Sequence, residues 1–252
     1  MSQLQHSLGP FRVGSVPYLN AAPLTGGLEE QIHFAPPSVL AEMLQRDELD
    51  AALVSVTEVL FHDRYDILDG IAIASQGEVK SVLLAHRQPL EDIREIYCDT
   101  ASLASVNLLR VLLAAKGLHP ALQPLADYEG APNLPNVLLI GDQAIRFARS
   151  NPPHKIWDLG WAWFELTGLP FVYAVWALRR IPNQTLRQQL REARNFGMET
   201  LDQIISSRGE FDYEFRKKYL RCHIHYSLGP EEKRGLARFV RLLCQYNVGA
   251  AR

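Results

Sequence analysis

The sequence predicts an α/β fold of two lobes with a ligand cleft between them. Short apolar strands alternate with helical segments through most of the 252 residues, and several strands end in small polar turns. A β/α unit over residues 90–175 interrupts the N-terminal unit, so we expect two strands to cross between the lobes. We predict lobe 1 from residues 1–88 with 177–252 and an inserted lobe 2 from residues 89–176.

The first lobe is expected to begin with a parallel β/α/β unit. The predicted elements are a strand over 11–16, a helix over 38–45, and strands over 51–56, 70–75 and 80–86. The helix carries Leu40, Met43 and Leu44 on one side, which is the spacing of a helix buried on one face. The strand over 80–86 alternates polar and apolar residues poorly, which indicates that it is largely buried.

A second β/α unit begins near Ile93. The predicted elements are strands over 95–98, 136–140 and 171–178 and helices over 103–116 and 143–149, and a last amphipathic helix is predicted over 230–244 in the helical tail of lobe 1. Asp99 to Ser102 supply capping residues for the first of these helices, which Gly117 ends. From Pro182 onward the pattern is helical, because apolar residues recur at three- and four-residue intervals.

Composition excludes several classes of function. A hydrophobic fraction of 47% is ample for a packed core, and a formal charge of −2 gives no basic surface for nucleic acid. No run of about 18 apolar residues is present to span a membrane, and residues 1–10 lack the basic start and apolar stretch of a signal peptide. We therefore expect a soluble, cytoplasmic protein with neither a nucleic-acid nor a membrane partner.

Cysteines and histidines predict neither disulfides nor a metal site. Cys98, Cys222 and Cys244 are odd in number and widely spaced, so we interpret them as reduced packing residues. His223 and His225 share one face of a short predicted strand, but no acidic or cysteine partner is near them in the sequence. We expect no metal there.

Four turns at strand ends carry the candidate binding groups, which are hydroxyls, an amide, backbone N–H groups and one carboxylate. The residues are Tyr18 with Asn20, Ser55 with Thr57, Thr100 with Ser102 and Ser105, and Gly141 with Asp142. Neutral donors of this kind suit a small carboxylate ligand. Ser55 or Ser102 alone is better explained as a helix cap, and Asn20 and Asp142 could also be caps. The convergence of several such turns favours binding.

A second wall of the cleft is predicted at the Gly/Pro turn Gly168-Leu169-Pro170, which precedes another apolar strand. Arginines are the usual partners of carboxylates. Arg12, Arg64 and Arg146 are near candidate turns in the sequence, but none of them is assigned to a ligand.

Five segments occur in series along nearly the whole chain. They are Ser15-Val16-Pro17-Tyr18-Leu19-Asn20 with Pro23-Leu24, Lys80-Ser81-Val82-Leu83-Leu84, Leu139-Ile140-Gly141-Asp142, Asp158-Leu159-Gly160 with Trp163, and Thr167-Gly168-Leu169-Pro170-Phe171-Val172. In this order they resemble the chorismate dehydratases of menaquinone biosynthesis by the futalosine pathway. The resemblance implies a fold like the type 2 periplasmic binding proteins. It also implies an enzyme, a hydro-lyase, that converts chorismate to 3-[(1-carboxyvinyl)oxy]benzoate and water.

The implied reaction needs neither a metal nor a redox cofactor. The C3 hydrogen of chorismate is vinylogous to the ring carboxylate, so its removal gives an extended enolate, and loss of the C4 hydroxyl then makes the ring aromatic. Asn20 matches the family's motif asparagine and is expected to hold the leaving hydroxyl or the enolate, and Ser81 matches a serine of the same site. Neither is a strong base, so we hypothesise that the enolpyruvyl carboxylate of the substrate removes the proton.

Two other classes stay open on the sequence. A non-catalytic cytosolic protein that binds small anions would share the two-lobed fold. A related enzyme family that makes 1,4-dihydroxy-6-naphthoate has a catalytic histidine at the turn where this chain has Gly141, and glycine cannot act as that base. This departure favours the dehydratase, unless His86 or His154 occupies the same place. The sequence also leaves a homodimer open.

Overall fold

The computed structural model describes residues 7–180 and 183–248, and these form two compact units. The first unit comprises the described parts of Met1–Ile73 and Tyr173–Leu228, and the second unit comprises those of Ala74–Val172 and Gly229–Arg252. Each unit contains one five-stranded sheet with helices. The predicted α/β class is therefore confirmed.

Ten strands are present in the described residues. They are β1 (Val13–Ser15), β2 (Ile32–Phe34), β3 (Ala51–Ser55), β4 (Tyr65–Ser75), β5 (Val82–His86), β6 (Glu95–Cys98), β7 (Ala121–Pro124), β8 (Asn136–Ile140), β9 (Lys155–Asp158) and β10 (Phe171–Arg179). The sequence analysis did not predict β2, β7 or β9. These short strands lie at sheet edges and have mostly exposed side chains, so they lack the apolar pattern by which strands are recognised.

Nine α-helices accompany the strands within the same residues. They are α1 (Pro37–Gln45), α2 (Val56–Phe61), α3 (Leu103–Ala115), α4 (Gly141–Arg149), α5 (Leu159–Thr167), α6 (Gln184–Glu199), α7 (Leu201–Ser207), α8 (Tyr213–Lys218) and α9 (Pro230–Gln245). A 3-10 helix spans Leu19–Leu24, and Tyr219–His223 form one π-helical turn. Pro182, where the helical tail was predicted to begin, lies outside the described residues.

The unit boundaries differ from the predicted lobes in three places, of which the smallest is the four residues 173–176, which belong to the first unit. Residues 74–88 belong to the second unit, because β5 is hydrogen-bonded between β8 and β9. The described part of 229–252 also belongs to the second unit, because the Phe239 ring of α9 packs edge-on against Trp163 and Phe171 at centroid distances of 5.9 and 4.9 Å. The assignments of 74–88 and of the C-terminal segment depend on contacts distant in sequence.

The first sheet has the strand order β2-β1-β3-β10-β4. β1 is parallel to β2 and to β3, whereas β10 is antiparallel to β3. The predicted parallel β/α/β unit is therefore confirmed. Since parallel strands end at the same edge of a sheet, Ser15 at the end of β1 and Ser55 at the end of β3 share one edge.

A close backbone contact holds the 3-10 helix after β1. This helix packs against α6, where Gly197 leaves no room for a side chain. A Cβ atom at Gly197 would lie 2.1 Å from the carbonyl oxygen of Pro23, and one at Gly26 would lie 2.7 Å from the Gly197 nitrogen. The two glycines therefore let the segment that carries Asn20 approach α6 closely.

The second sheet has the strand order β7-β6-β8-β5-β9. β6 is parallel to β7 and β8, and β5 is antiparallel to β8 and β9. The register pairs Val82 with Ile140 and Leu83 with Asp158. The carboxyl ends of β6, β8 and β9 and the amino end of β5 therefore lie at one edge.

Candidate functional site

Asn20 lies inside the 3-10 helix that follows β1. Its side-chain carbonyl oxygen is shielded from solvent and has no hydrogen-bond partner among the residues that the structure describes, and the same is true of the Ser15 hydroxyl. The residue that caps this helix is Tyr18, so Asn20 is not a helix cap. An unpaired buried acceptor costs about 1–3 kcal/mol. Asn20 is therefore suited to accept a hydrogen bond from a ligand.

Ser55 and Thr57 form a hydroxyl pair at the same edge of the first sheet. Their side-chain oxygens are 2.8 Å apart, and both residues are buried. Ser55 occupies the N-cap position of α2, but its side chain makes no capping hydrogen bond. The capping interpretation therefore does not account for this hydroxyl.

A pocket of about 340 Å³ in the first unit lies next to this edge. Its lining includes Tyr18, Ala22 and Phe34 and one arginine, Arg208. The Nε atom of Arg208 donates to Glu210 at 3.1 Å, and its Nη2 atom forms an ion pair with the same carboxylate. The arginine is thus already neutralised by its neighbour.

In the second unit, Ser81 and Gly141 meet where β5 begins and β8 ends. The Gly141 N–H donates to the Ser81 carbonyl oxygen at 2.8 Å, and Gly141 has a φ of +60°. Ser81 is buried, and its hydroxyl donates to the Val79 carbonyl at 3.4 Å. Asp142 lies in the first turn of α4, where a carboxylate interacts favourably with the helix dipole.

The turn after β6 lies at the same edge of the second sheet. Its residues differ in exposure, since Thr100 is exposed and Ser105 is buried. The Ser105 hydroxyl donates to the Ser102 hydroxyl at 3.2 Å. Ser102 is the N-cap residue of α3 but makes no capping bond with its side chain. The structure thus brings these hydroxyls to the edge that holds Ser81 and Gly141.

Asp99 is a buried carboxylate at the base of this turn, and the sequence analysis considered it only as a capping residue. It accepts hydrogen bonds from Tyr128 Oη at 2.7 Å and from the Ala101 N–H at 3.0 Å. Burial raises the pKa of the Asp99 carboxyl, although these hydrogen bonds act in the opposite direction. The sequence feature that could have identified Asp99 as a site residue is its position directly after an apolar strand.

Asp158 is a second buried carboxylate at this edge. It caps α5 through the N–H groups of Gly160 and Trp161, each at 3.0 Å. It also accepts from Val79 at 3.1 Å and from Lys80 at 2.8 Å. Burial raises the pKa of Asp158 against the effect of the backbone hydrogen bonds. The sequence placed Asp158 in a family segment but did not reveal its link to the residues before Ser81.

The predicted second wall has clear packing roles. Gly168 ends α5 with a φ of +68°, and the Leu169 N–H donates to Thr167 Oγ1 at 3.2 Å. The Pro170 carbonyl accepts from Trp163 Nε1 at 3.1 Å. Contact of Gly168, Leu169 and Pro170 with substrate stays a prediction.

Two of the three arginines that are near candidate turns in the sequence lie at the end of the first sheet opposite Ser15 and Ser55. Arg12 precedes β1 and contacts Asp50 at 3.4 Å, and Arg64 precedes β4 and contacts Asp47 at 3.9 Å. These acidic residues lie at the amino ends of the strands, opposite Ser15. Arg146 lies in the last turn of α4. Arg12 and Arg64 therefore do not lie at the sheet edge that holds Ser15 and Ser55.

His86 and His154 lie far from the Gly141 turn. β5 pairs His86 with Asn136 at the start of β8, whereas Gly141 follows the end of that five-residue strand. The two ends are about 13 Å apart. His154 Nε2 lies 2.8 Å from the Leu134 carbonyl oxygen, just before β8. Neither imidazole replaces the histidine that the naphthoate-forming family has at this turn.

His223 and His225 do not lie together on one strand, as the sequence predicted. His223 ends the π-helical turn, and the following Ile224 is extended. Across residues 7–180 and 183–248, no group of three or more His, Cys, Asp or Glu side chains is arranged to hold a metal ion. Among the helices of this part of the chain, none has the length and apolar character needed to cross a membrane.

Solved structures with a similar fold support the architecture. A protein of Archaeoglobus fulgidus matches with a TM-score of 0.75 and 20% identity, over 94% of this chain and 97% of that one. The periplasmic aliphatic sulphonate binding protein of Escherichia coli matches with a TM-score of 0.60 and 16% identity, over 94% and 87% of the two chains. The expected resemblance to periplasmic binding proteins is thus confirmed at the level of the fold.

Sequence comparisons identify relatives along most of the chain. A protein named chorismate dehydratase from Thermus thermophilus is 35% identical over 226 residues, which cover 79% of this chain and 81% of the relative. A protein of the same name from Campylobacter jejuni is 27% identical over 229 residues, which cover 89% of each. The model of a family described as menaquinone biosynthesis matches residues 11–245. The chain therefore belongs to the menaquinone biosynthesis family.

Proposed function

We propose that this protein is a chorismate dehydratase, which forms 3-[(1-carboxyvinyl)oxy]benzoate and water. The relatives from Thermus thermophilus and Campylobacter jejuni carry that name. The observation in this chain that supports the proposal most is the side-chain carbonyl oxygen of Asn20, in the 3-10 helix after β1, which is buried and has no hydrogen-bond partner among the described residues. An acceptor held ready in this way can orient the C4 hydroxyl of chorismate by accepting its hydrogen bond.

The proposed elimination breaks two bonds of the substrate. The C3–H bond breaks first, and its electrons enter the extended enolate of the ring carboxylate. The C4–O bond then breaks, a C3–C4 double bond forms, and the hydroxide takes up a proton to leave as water. The aromatic ring of the product supplies most of the driving force, so the protein has mainly to hold the reacting groups in place.

Mainly neutral groups, together with the Asp142 carboxylate, are proposed to hold the substrate and the developing charge. Asn20 and Ser81 are the proposed catalytic residues, and Tyr18, Ser55 and Thr57 are proposed substrate contacts. The second unit is proposed to contribute Thr100, Ser102, Ser105, Gly141 and Asp142, together with the turn 168–170. The N-termini of α3 and α4 at this edge support the proposal, because their N–H groups favour a carboxylate.

None of the proposed catalytic side chains is a strong base. We therefore propose that the enolpyruvyl carboxylate of chorismate removes the C3 proton while the protein fixes its geometry. An analogue without that carboxylate should bind but should not lose water. Normal turnover of the analogue would contradict this step. We also propose a cytoplasmic location, which cell fractionation tests, and a homodimer, which sedimentation tests. The reaction is proposed to need no cofactor, which assays of metal-stripped protein test.

The test is incubation of purified, metal-stripped protein with chorismate, followed by chromatography and mass measurement of the product. We expect Asn20→Ala to lower kcat by about 100-fold or more, the cost of removing an oriented polar group at the reacting centre. Asn195→Ala makes the same chemical change at an exposed position of α6 and should keep wild-type activity. Wild-type protein that is stabilised by chorismate but forms no product would indicate a binding protein instead.

A further inference from the structure

Asp158 joins two segments that are distant in sequence. One carboxylate oxygen, Oδ1, accepts the N–H groups of Val79, Gly160 and Trp161 at 3.1, 3.0 and 3.0 Å. The other oxygen, Oδ2, accepts the Lys80 N–H at 2.8 Å. A helix cap needs only the Gly160 and Trp161 bonds. The two bonds to residues 79 and 80 are therefore additional, and they end at the residue before Ser81.

The loop before Ser81 contains a backbone conformation that needs support. Lys80 has a φ of +62°, in the left-handed region that residues with a side chain rarely adopt. Such a conformation costs about 1–3 kcal/mol and persists only where the surroundings hold it. The Lys80 N–H is bound by Asp158, and the Lys80 ammonium forms an ion pair with Glu78 at 2.7 Å.

The same contacts set the direction of the Ser81 hydroxyl. Ser81 Oγ donates to the Val79 carbonyl at 3.4 Å, and the Val79 N–H is bound by Asp158. On the other side, the Ser81 carbonyl accepts the Gly141 N–H. Without Asp158, the loop would be anchored at Gly141 but released at residues 79 and 80. The Ser81 hydroxyl would then lose its fixed acceptor.

We propose that Asp158 is a positioning residue for the reaction, which holds the left-handed Lys80 and thereby aims the Ser81 hydroxyl at the substrate. This inference rests on the proposed function of Ser81. It gives the carboxylate a role beyond that of a helix cap. Asp158 itself takes no proton and touches no substrate in this role.

Asp158→Asn is the most specific variant, because it changes only one of the four hydrogen bonds that the carboxylate accepts. The amide oxygen can keep the three bonds at Oδ1, and the amide nitrogen then faces the Lys80 N–H, donor against donor. We expect kcat for chorismate to fall by about 10- to 100-fold, with a smaller change in KM, because misplacement of a reacting group by about 1 Å has this order of effect. Asp212→Asn, which changes the capping aspartate of α8, is the matched control and should keep kcat.

A double-mutant cycle separates positioning from loss of stability. If Asp158 acts through Ser81, Asp158→Asn should lower kcat by less than about threefold when Ser81 is already alanine. An equal loss of kcat in the presence and absence of Ser81 would overturn the proposal. Amide hydrogen exchange provides a readout that does not depend on activity, and the peptide over residues 77–83 should exchange faster in Asp158→Asn while the α5 peptide is unchanged.

The outcomes distinguish this inference from the proposed function. If wild-type protein fails to dehydrate chorismate, the proposed function is wrong, and the exchange measurement still decides whether Asp158 holds the loop. If wild-type protein is active but exchange over residues 77–83 is unchanged in Asp158→Asn, the positioning role is wrong while the dehydratase stands.

Discussion

The roles of single residues depend on whether their polar atoms already have partners. Asn20 was predicted from its place in a polar turn, and the structure adds that its carbonyl oxygen is buried and has no hydrogen-bond partner in the part of the chain that the structure describes. Asp158 was predicted only as part of a family segment, because its bonds to Val79 and Lys80 span 79 and 78 residues of sequence. Local sequence patterns report neighbours along the chain, so they reveal a cap but not such a distant contact.

The three cysteines should differ in reactivity. Burial raises the pKa of the Cys98 thiol to about 12, and Cys222 and Cys244 are exposed. Because the thiolate is the reactive form, we expect iodoacetamide to label Cys222 and Cys244 in the native protein and to leave Cys98 unlabelled. Peptide mass measurement after labelling checks this, with urea-unfolded protein as the control in which all three react. Rapid labelling of native Cys98 would contradict its burial.

Asp99 should make a pH-dependent contribution to stability. Burial raises the pKa of its carboxyl above the ordinary value of 3.8, so the folded protein holds this proton more tightly than the unfolded chain. The stability that Asp99 contributes is therefore fully present below its unfolded pKa, and it is lost as the pH rises through the folded pKa. Asp99→Asn does not titrate, so it should lose more free energy of unfolding near pH 4 than near pH 7.

Urea unfolding of wild-type and Asp99→Asn protein over this pH range measures the difference. All other titrating groups are shared by the two proteins and cancel in the comparison. A difference in stability that grows as the pH rises would contradict the raised pKa.

Among the elements, buried strands were predicted better than edge strands. The central strands β3, β5 and β8 have continuous apolar sequences and are wholly buried, so their pattern is unmistakable. β9 was missed because Lys155 and Ile156 are exposed. Similarly, the sequence predicts that a helix follows β10 but not that two glycines let the 3-10 helix of Asn20 approach it. Such close packing depends on the fit between segments that are far apart in the sequence.

Gly197→Ala should disturb the 3-10 helix that carries Asn20. Alanine favours a helix by about 1 kcal/mol over glycine, but the new Cβ would lie 2.1 Å from the Pro23 carbonyl oxygen. Overpacking against backbone costs about 1–3 kcal/mol or more. We therefore expect a net loss of unfolding free energy and a lower kcat.

Gly209→Ala is the control for this prediction, because apart from its two neighbours in the chain no described residue has an atom within 4 Å of a Cβ built there. It should leave stability within about 0.5 kcal/mol of wild type. Denaturant unfolding and chorismate turnover check both variants. Equal stability of the two variants would contradict the close contact between the 3-10 helix and α6.

For the molecule as a whole, the sequence predicted the α/β class, and the two compact units divide the chain at other points than the predicted lobes. The chain leaves the first unit within β4, between Ile73 and Ala74, and returns to it within β10, between Val172 and Tyr173. No composition change marks either point, since each lies inside an apolar strand. α9 belongs to the second unit through its aromatic contacts, which a helical pattern alone does not reveal. Asn20 lies in one unit and Ser81 in the other, so a variant in each is needed to test the account.

The most direct measurement uses chorismate labelled with oxygen-18 at the C4 hydroxyl. The account predicts that the wild-type protein forms 3-[(1-carboxyvinyl)oxy]benzoate without the label, that the label appears in water, and that Asn20→Ala and Ser81→Ala both slow this release. Unchanged chorismate, or a product that retains the label, would contradict the proposed elimination.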